Sequence, residues 1–222
     1  MSKCSHQFIS VMGTLGTGKS TAAILLSQAL HLHLLPEAFE DNPFLPRFYT
    51  DMKRWGLTYQ THFLLSMMQR TENAKQLLNQ TSVVEDSSIF QYVYSYAQAQ
   101  RIYENMDQAE WQLYIRLYET MKTSLPVPDL IVYLDATVET ILTRVAQRGR
   151  DYENSIPADY LHLLNRLNAE WLKTNTTIPV CHVDANALNI VENPADQKFL
   201  VDSIIQMLPT LQSQSSSLSL QS

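Results

Sequence analysis

The sequence predicts an α/β fold: a five-stranded parallel sheet with helices on both faces. Three observations predict it. Short apolar or β-branched runs at 7–12, 33–37, 82–86, 130–135 and 180–183 recur between longer helical stretches. Several are apolar without alternation, as strands covered on both faces are. And of only five glycines, Gly13, Gly16 and Gly18 fall within six residues, directly after the first run, where a backbone turn or close approach needs them.

In chain order, the strand at 7–12 leads through the glycines into a helix at about 19–30. The second strand ends in Pro36 and Glu37. Residues 41–80 are predicted helical in two pieces, broken near 53–56. A short third strand ends in Glu85 and Asp86. Helices follow at about 88–104 and 107–125, the second stopped by Pro126 and Pro128, since proline cannot continue a helix. After the fourth strand, a helix at 138–147 runs into the basic stretch Arg144-Val-Ala-Gln-Arg148-Gly149-Arg150. Pro157 opens a further helix, with Tyr160, Leu164, Leu167 and Trp171 at helical spacing on one face. The fifth strand and a helix at 196–208 complete one domain over residues 1–211. The polar, low-complexity stretch 212–222 is predicted disordered.

Composition narrows the function. Of 222 residues, 45% are hydrophobic and 17% charged, enough apolar matter for a full core. A net charge of −6 argues against a nucleic-acid binder, which neutralises phosphates with clustered lysine and arginine. Two cysteines, Cys4 and Cys181, make neither a disulfide framework nor a zinc site, so a reducing compartment is expected. The longest apolar runs are five residues, far short of a membrane span. The N-terminus does not carry the charged-then-apolar layout of a signal peptide, and the expectation is a cytoplasmic protein.

Gly13-Thr-Leu-Gly-Thr-Gly18-Lys19-Ser20 fits the phosphate-loop pattern G-x-x-x-x-G-K-[ST], after a strand and opening a helix. Successive loop amides and the helix N-terminus make an anion nest. Lys19 places a point charge on the β and γ phosphates, and Ser20 can ligate Mg²⁺. Thr14, Leu15, Gly16, Thr17 and Thr21 complete the predicted ATP site. No guanine-reading Asn-Lys-x-Asp is present. Instead, acidic residues end three further strands: Glu37, the pair Glu85 and Asp86, and Asp135. A single acidic residue there could equally be a helix cap or a solvated loop. Open α/β sheets, however, bind ligands outside the carboxyl ends of their strands.

These residues, taken together, resemble the deoxyribonucleoside kinases, in the bacterial deoxyadenosine/deoxyguanosine kinase-like branch. Pro36-Glu-Ala-Phe-Glu-Asp-Asn-Pro-Phe44 is similar to that family's Glu-Pro-Val segment. Tyr49, Arg54-Trp55 and Tyr59-Gln60 match its Tyr, Arg-Trp and Phe-Gln-Thr positions in order and spacing. Arg144, Arg148, Arg150 and Glu153 match an arginine-rich lid and the glutamate after it. The resemblance implies a P-loop kinase fold with a mobile lid, Mg²⁺ with ATP as donor, a deoxyribonucleoside acceptor and a homodimer. It also implies roles. Glu37 would be the general base on the nucleoside 5′-hydroxyl, and Arg144, Arg148 and Arg150 would neutralise the transferring phosphoryl. Tyr49 and Glu153 would hold the sugar 3′-hydroxyl, Gln60 would read the base, and Glu85 would join Ser20 on the metal. Trp55 and Phe39 read as core or pocket wall.

Three positions depart from that pattern. The family's Glu/Asp-Arg-Ser appears as Glu85-Asp86-Ser87, an aspartate where an arginine would lie beside the 5′-hydroxyl. Met67 stands for an arginine on the base-reading helix, and Gln91 for the aspartate that pairs with it. The two losses are mutually consistent, because either charge alone would be buried unpaired. Asp86 is expected either to turn outward or to join Glu85 and Ser20 on Mg²⁺. The function expected is phosphorylation of a deoxyribonucleoside, purine favoured. The alternatives are a nucleoside monophosphate kinase and a nucleotide-binding regulator without turnover.

Overall fold

The computed structural model describes residues 6–37, 42–149 and 156–208. Its strands are β1 (Phe8–Met12), β2 (His33–Leu35), β3 (Val83–Glu85), β4 (Leu130–Asp135) and β5 (Val180–Asp184). They pair in the order β2-β3-β1-β4-β5, every pair parallel. Ser10 lies opposite both Glu85 and Ile131 in register, so β1 is central and its carboxyl end is where the loops converge.

Alternation along β1 explains the layers. Ile9 and Val11 point to one face, with Val132 and Leu134, and pack on Ala22, Ala23 and Leu26 of helix α1 (Lys19–Leu30) and Leu200 and Ile204 of helix α9 (Pro194–Met207). Phe8 and Met12 point to the other. Phe8 meets Ala74 of helix α3 (Met52–Leu77), and Met12 joins Ile131, Tyr133 and Trp171 of helix α8 (Ala158–Thr174). Each fully buried aliphatic side chain of this kind contributes about 1.5–3 kcal/mol.

The expected break in the 41–80 region moves to Asp51, between α2 (Leu45–Thr50) and α3. Asp51 sets it by capping α3, its Oδ1 accepting from the Arg54 amide at 3.0 Å. Strand β2 stops at Leu35, so Glu37 stands two residues beyond the strand rather than at its end. The predicted helix at 88–104 is α4 (Ile89–Gln91), a π-helical stretch Tyr92–Ala97, and α5 (Gln98–Ile102). Then come α6 (Gln108–Met121), opened by an Asp107–Glu110 capping box, and α7 (Val138–Arg148), closed by Gly149. Among the described residues, no helix is long and apolar enough to cross a membrane. The stretch 212–222, Phe39, Arg150 and Glu153 lie outside them.

Gly56 is a contact and not a break. A Cβ there would lie 2.1 Å from the carbonyl oxygen of Asn105, so helix α3 needs glycine to approach the α5–α6 connection. Gly56→Ala, which in a free helix would add roughly 1 kcal/mol, is therefore expected to lower the melting temperature. A thermal unfolding curve checks the sign.

Candidate active site

The phosphate loop leaves β1 and enters α1 with Gly13, Gly16 and Gly18 at φ 155°, 79° and 99°. Two of these are demanded by their neighbours. A Cβ on Gly13 would come within 2.7 Å of the Leu134 carbonyl, and one on Gly16 within 3.0 Å of Val145 on α7. Lys19 is buried at the first turn of α1, with Nζ donating to the Thr14 carbonyl at 3.3 Å. Ser20 beside it is exposed and Thr21 is half-buried, while Leu15 packs between α7 and α8.

Side chains from elsewhere hold this loop. The Gly13 amide donates to Gln91 Oε1 at 2.8 Å. Thr14 Oγ1 donates to Asn165 Oδ1 at 2.5 Å and accepts from Asn168 Nδ2 at 3.1 Å, both from α8. Arg144 of α7 gives Nη1 to the Thr17 carbonyl at 3.1 Å, and Nη2 to the carbonyls of Ala185 (2.6 Å) and Leu188 (3.2 Å). Two expectations change here. Arg144, read as a lid arginine, is committed to three main-chain carbonyls and braces the loop. Gln91, read as a base contact, turns its acceptor to the donor loop. Arg148 ends α7 with its side chain exposed.

Across from Lys19 stands Glu37. Burial is the largest influence on its carboxyl and raises it above the usual carboxylate range, and Asp86 adds to this. Lys19, Arg70 and the Ser87 hydroxyl pull the other way. Tyr59 of α3 and Tyr96 of the π-helical stretch both feel the Glu37 charge, and Tyr59 and Tyr160 both feel Tyr49. Four phenols thus gather on the acceptor side. Gln60 is buried there on α3, and its Oε1 has no hydrogen-bond partner among the described residues. A buried amide oxygen left so costs about 1–3 kcal/mol unless something outside the chain satisfies it. Met67 is core, packed with Phe63, Leu64 and Tyr92. Trp55 stacks on Phe44 at 6.0 Å, with Arg47 and Arg54 over its ring.

At the end of β3 the expectations need correction. Asp86 does not turn outward; it is 5% exposed. Glu85 is fully buried, its Oε1 accepting from Ser10 Oγ at 2.6 Å and its Oε2 from Thr71 Oγ1 at 3.4 Å, with Arg70 Nη2 3.9 Å away. Glu85 is thus anchored by Ser10, and the exposed hydroxyl of Ser20 is the group open to a metal.

Residues 9–209 match the deoxynucleoside kinase family. The deoxyadenosine/deoxycytidine kinase of Bacillus subtilis is 27% identical over 91% of this chain and 94% of its own length. The deoxyguanosine kinase of the same organism is 29% identical, over 85% and 91%. The deoxyadenosine kinase of M. mycoides with bound dCTP superposes with a TM-score of 0.76 at 25% identity, covering 92% of this chain and all of that one. The chain belongs to the deoxynucleoside kinase family. The sheet order and phosphate loop of this kinase are those of a nucleotide-dependent phosphotransferase, and its parallel α/β fold is the one predicted.

Sequence reading missed the residues that brace the kinase from outside the motif: Asn165, Asn168 and Arg70. Asn165 and Asn168 did carry a signal, being polar at i and i+3 on a helix whose buried face is otherwise leucine. Gln91→Met removes the acceptor for the Gly13 amide at matched size. Affinity for the phosphate donor should fall about fivefold, as loss of roughly 1 kcal/mol implies, with nucleoside affinity nearly unchanged. Titration calorimetry checks both, and a loss confined to the nucleoside would return Gln91 to the base pocket.

Proposed function

We propose that the kinase transfers the γ-phosphoryl of ATP, or of another nucleoside triphosphate, to the 5′-hydroxyl of a deoxyribonucleoside, with adenine or guanine preferred. The observation that carries this reading is Glu37, a half-buried carboxylate facing the phosphate-loop lysine on one side and a phenol-lined, Gln60-containing face on the other. Phosphoryl transfer asks for positioning and charge neutralisation more than covalent chemistry. Loop amides and Lys19 would hold the β and γ phosphates. Glu37 would accept the 5′-hydroxyl proton as the new O–P bond forms and the bond to the leaving nucleoside diphosphate breaks. The Gln60 amide donates and accepts at once, and can pair with the edge of adenine, guanine or cytosine. Its unpartnered Oε1 supports that use. Buried Glu85 and Asp86 disfavour an acceptor that already carries a phosphate.

Bound Mg²⁺ would supply positive charge to offset the charge developing on the triphosphate. Ser20, exposed at the start of α1, is the residue that would hold it. Arg148 and Arg150 are proposed to reach the transferring phosphoryl, and Tyr49 with Glu153 the sugar 3′-hydroxyl. We place the kinase in the cytoplasm as a homodimer. Leu65 of α3 and Leu113 of α6, each about half exposed on helices that pack together, support an interface there. Light scattering at micromolar concentration should give twice the chain mass.

Initial rates with eight ribo- and deoxyribonucleosides and labelled ATP test the reading, which requires a deoxynucleoside to be the best acceptor. Glu37→Gln should lower kcat by at least about 10² with nucleoside affinity changed only a few-fold, as for a base used in the transition state. The same residue sets the pH profile. Burial raises the Glu37 carboxyl, and only its ionised form accepts a proton, so kcat should fall with acidification through a midpoint above the roughly 4.3 of a free glutamate. A profile flat down to that value in the wild type would move the base elsewhere.

A further inference from the structure

Arg70 is the only charged residue among the buried positions of α3, and nothing in the loop motifs accounts for it. Its Nη1 donates to the carbonyl of Pro36 at 3.2 Å, the residue directly before Glu37. Its Nη2 donates to the carbonyl of Ser87, directly after Asp86, and lies 3.9 Å from Glu85 Oε2. We propose that Arg70 is a positioning residue for phosphoryl transfer, fixing the two main-chain segments that carry Glu37 and Asp86 and supplying the cation that the end of β3 lacks.

Three features support this. One planar fork joins the segment after β2 to the segment after β3, a span that suits guanidinium and not a point charge. Ser87 sits at φ 71°, a left-handed conformation that a non-glycine residue keeps only where its surroundings hold it. The Arg70 contact on its carbonyl is such a hold. Finally, the groups facing Glu37 are Lys19 from α1, Asp86 and Ser87 from the β3 loop, Arg70 from α3, and the Tyr59 and Tyr96 phenols. With Glu85 close by, three carboxylates gather around two cations. Removing Arg70 would leave Lys19 shared between the triphosphate and all three.

The proposal rests on Glu37 as the proton acceptor, and the test separates the two. A double-mutant cycle compares wild type, Arg70→Met, Glu37→Gln and the double variant, with kcat and KM measured on the best deoxynucleoside and ATP affinity measured directly. The loss on Glu37→Gln alone judges the base; if there is none, both that reading and this proposal fall. Arg70→Met should lower kcat by about tenfold or more in the wild-type background, yet by less than about twofold when Glu37 is already glutamine, because it acts through Glu37. ATP affinity should stay within a few-fold. Equal losses in both backgrounds, or none in the first, would overturn the proposal. Should Arg70→Met fail to fold, Arg70→Lys keeps the charge without the fork and runs the same cycle. A smaller loss that again vanishes in the Glu37→Gln background supports positioning, and an additive or absent loss overturns it. Asp86→Arg added to Arg70→Met returns a cation to the β3 end and should recover part of kcat; no recovery counts against the charge.

Discussion

A loop that offers its amides to an anion cannot also use them to keep its own shape. Residues Gly13 to Ser20 meet this constraint largely through hydroxyls and carbonyls, although the Gly13 amide is given to Gln91 and the Thr17 amide to the Thr14 carbonyl. The first amide goes to Gln91, the Thr14 hydroxyl to Asn165 and Asn168, and the Thr17 carbonyl to Arg144. These side chains come from α4, α8 and α7, three separate elements. The conformation of the phosphate site is therefore a property of the packed domain. Helix α7 also packs close on the loop at Gly16, where a Cβ would lie 3.0 Å from Val145 and 3.1 Å from Ile141.

The acceptor side answers a different constraint. A base near neutral pH is best when its carboxylate is neither fully solvated nor tightly paired. Around Glu37, burial and Asp86 raise the proton affinity, and Lys19, Arg70 and Ser87 lower it. The balance depends on groups delivered from α1, α3 and the end of β3. A π-helical stretch occupies Tyr92–Ala97 where a regular helix was expected, and the wider turn changes which side chains face inward. Tyr96, on that stretch, reaches the Glu37 field.

What could be read from sequence follows a physical division. Strands and their order of appearance were legible, because period and apolarity are local properties. So was the loop, whose glycines, lysine and serine are contiguous. Glu37, Tyr59 and Gln60 were legible through a resemblance carried by short motifs. The misassigned residues are those whose role depends on a distant partner. Arg144 looked like a lid cation until its carbonyl acceptors at Thr17, Ala185 and Leu188 were placed. Gly56 looked like part of a helix break, although its reason is the Asn105 carbonyl, about fifty residues away in sequence. Glu85, expected beside a metal, is also hydrogen-bonded to Ser10, 75 residues away in sequence.

The three departures at Met67, Asp86 and Gln91 can be understood as one redistribution of charge. The resemblance implies a cation at position 67 paired with an anion at 91, and another cation at 86. Here Met67 and Gln91 are neutral, Asp86 is negative, and a guanidinium appears at Arg70. Positions 67 and 70 are i and i+3 on one helix, neighbours on one face and about 4.5 Å apart along the axis at 1.5 Å per residue. From there the Arg70 guanidinium reaches the carbonyls of Pro36 and Ser87. Gln91, released from pairing a cation, is free to hold the Gly13 amide. Buried charge is tolerated only in matched sets, so each change makes the others permissible. A reading fixed to motif positions sees a missing arginine at 86, whereas the structure has a guanidinium delivered to the same strand end from α3.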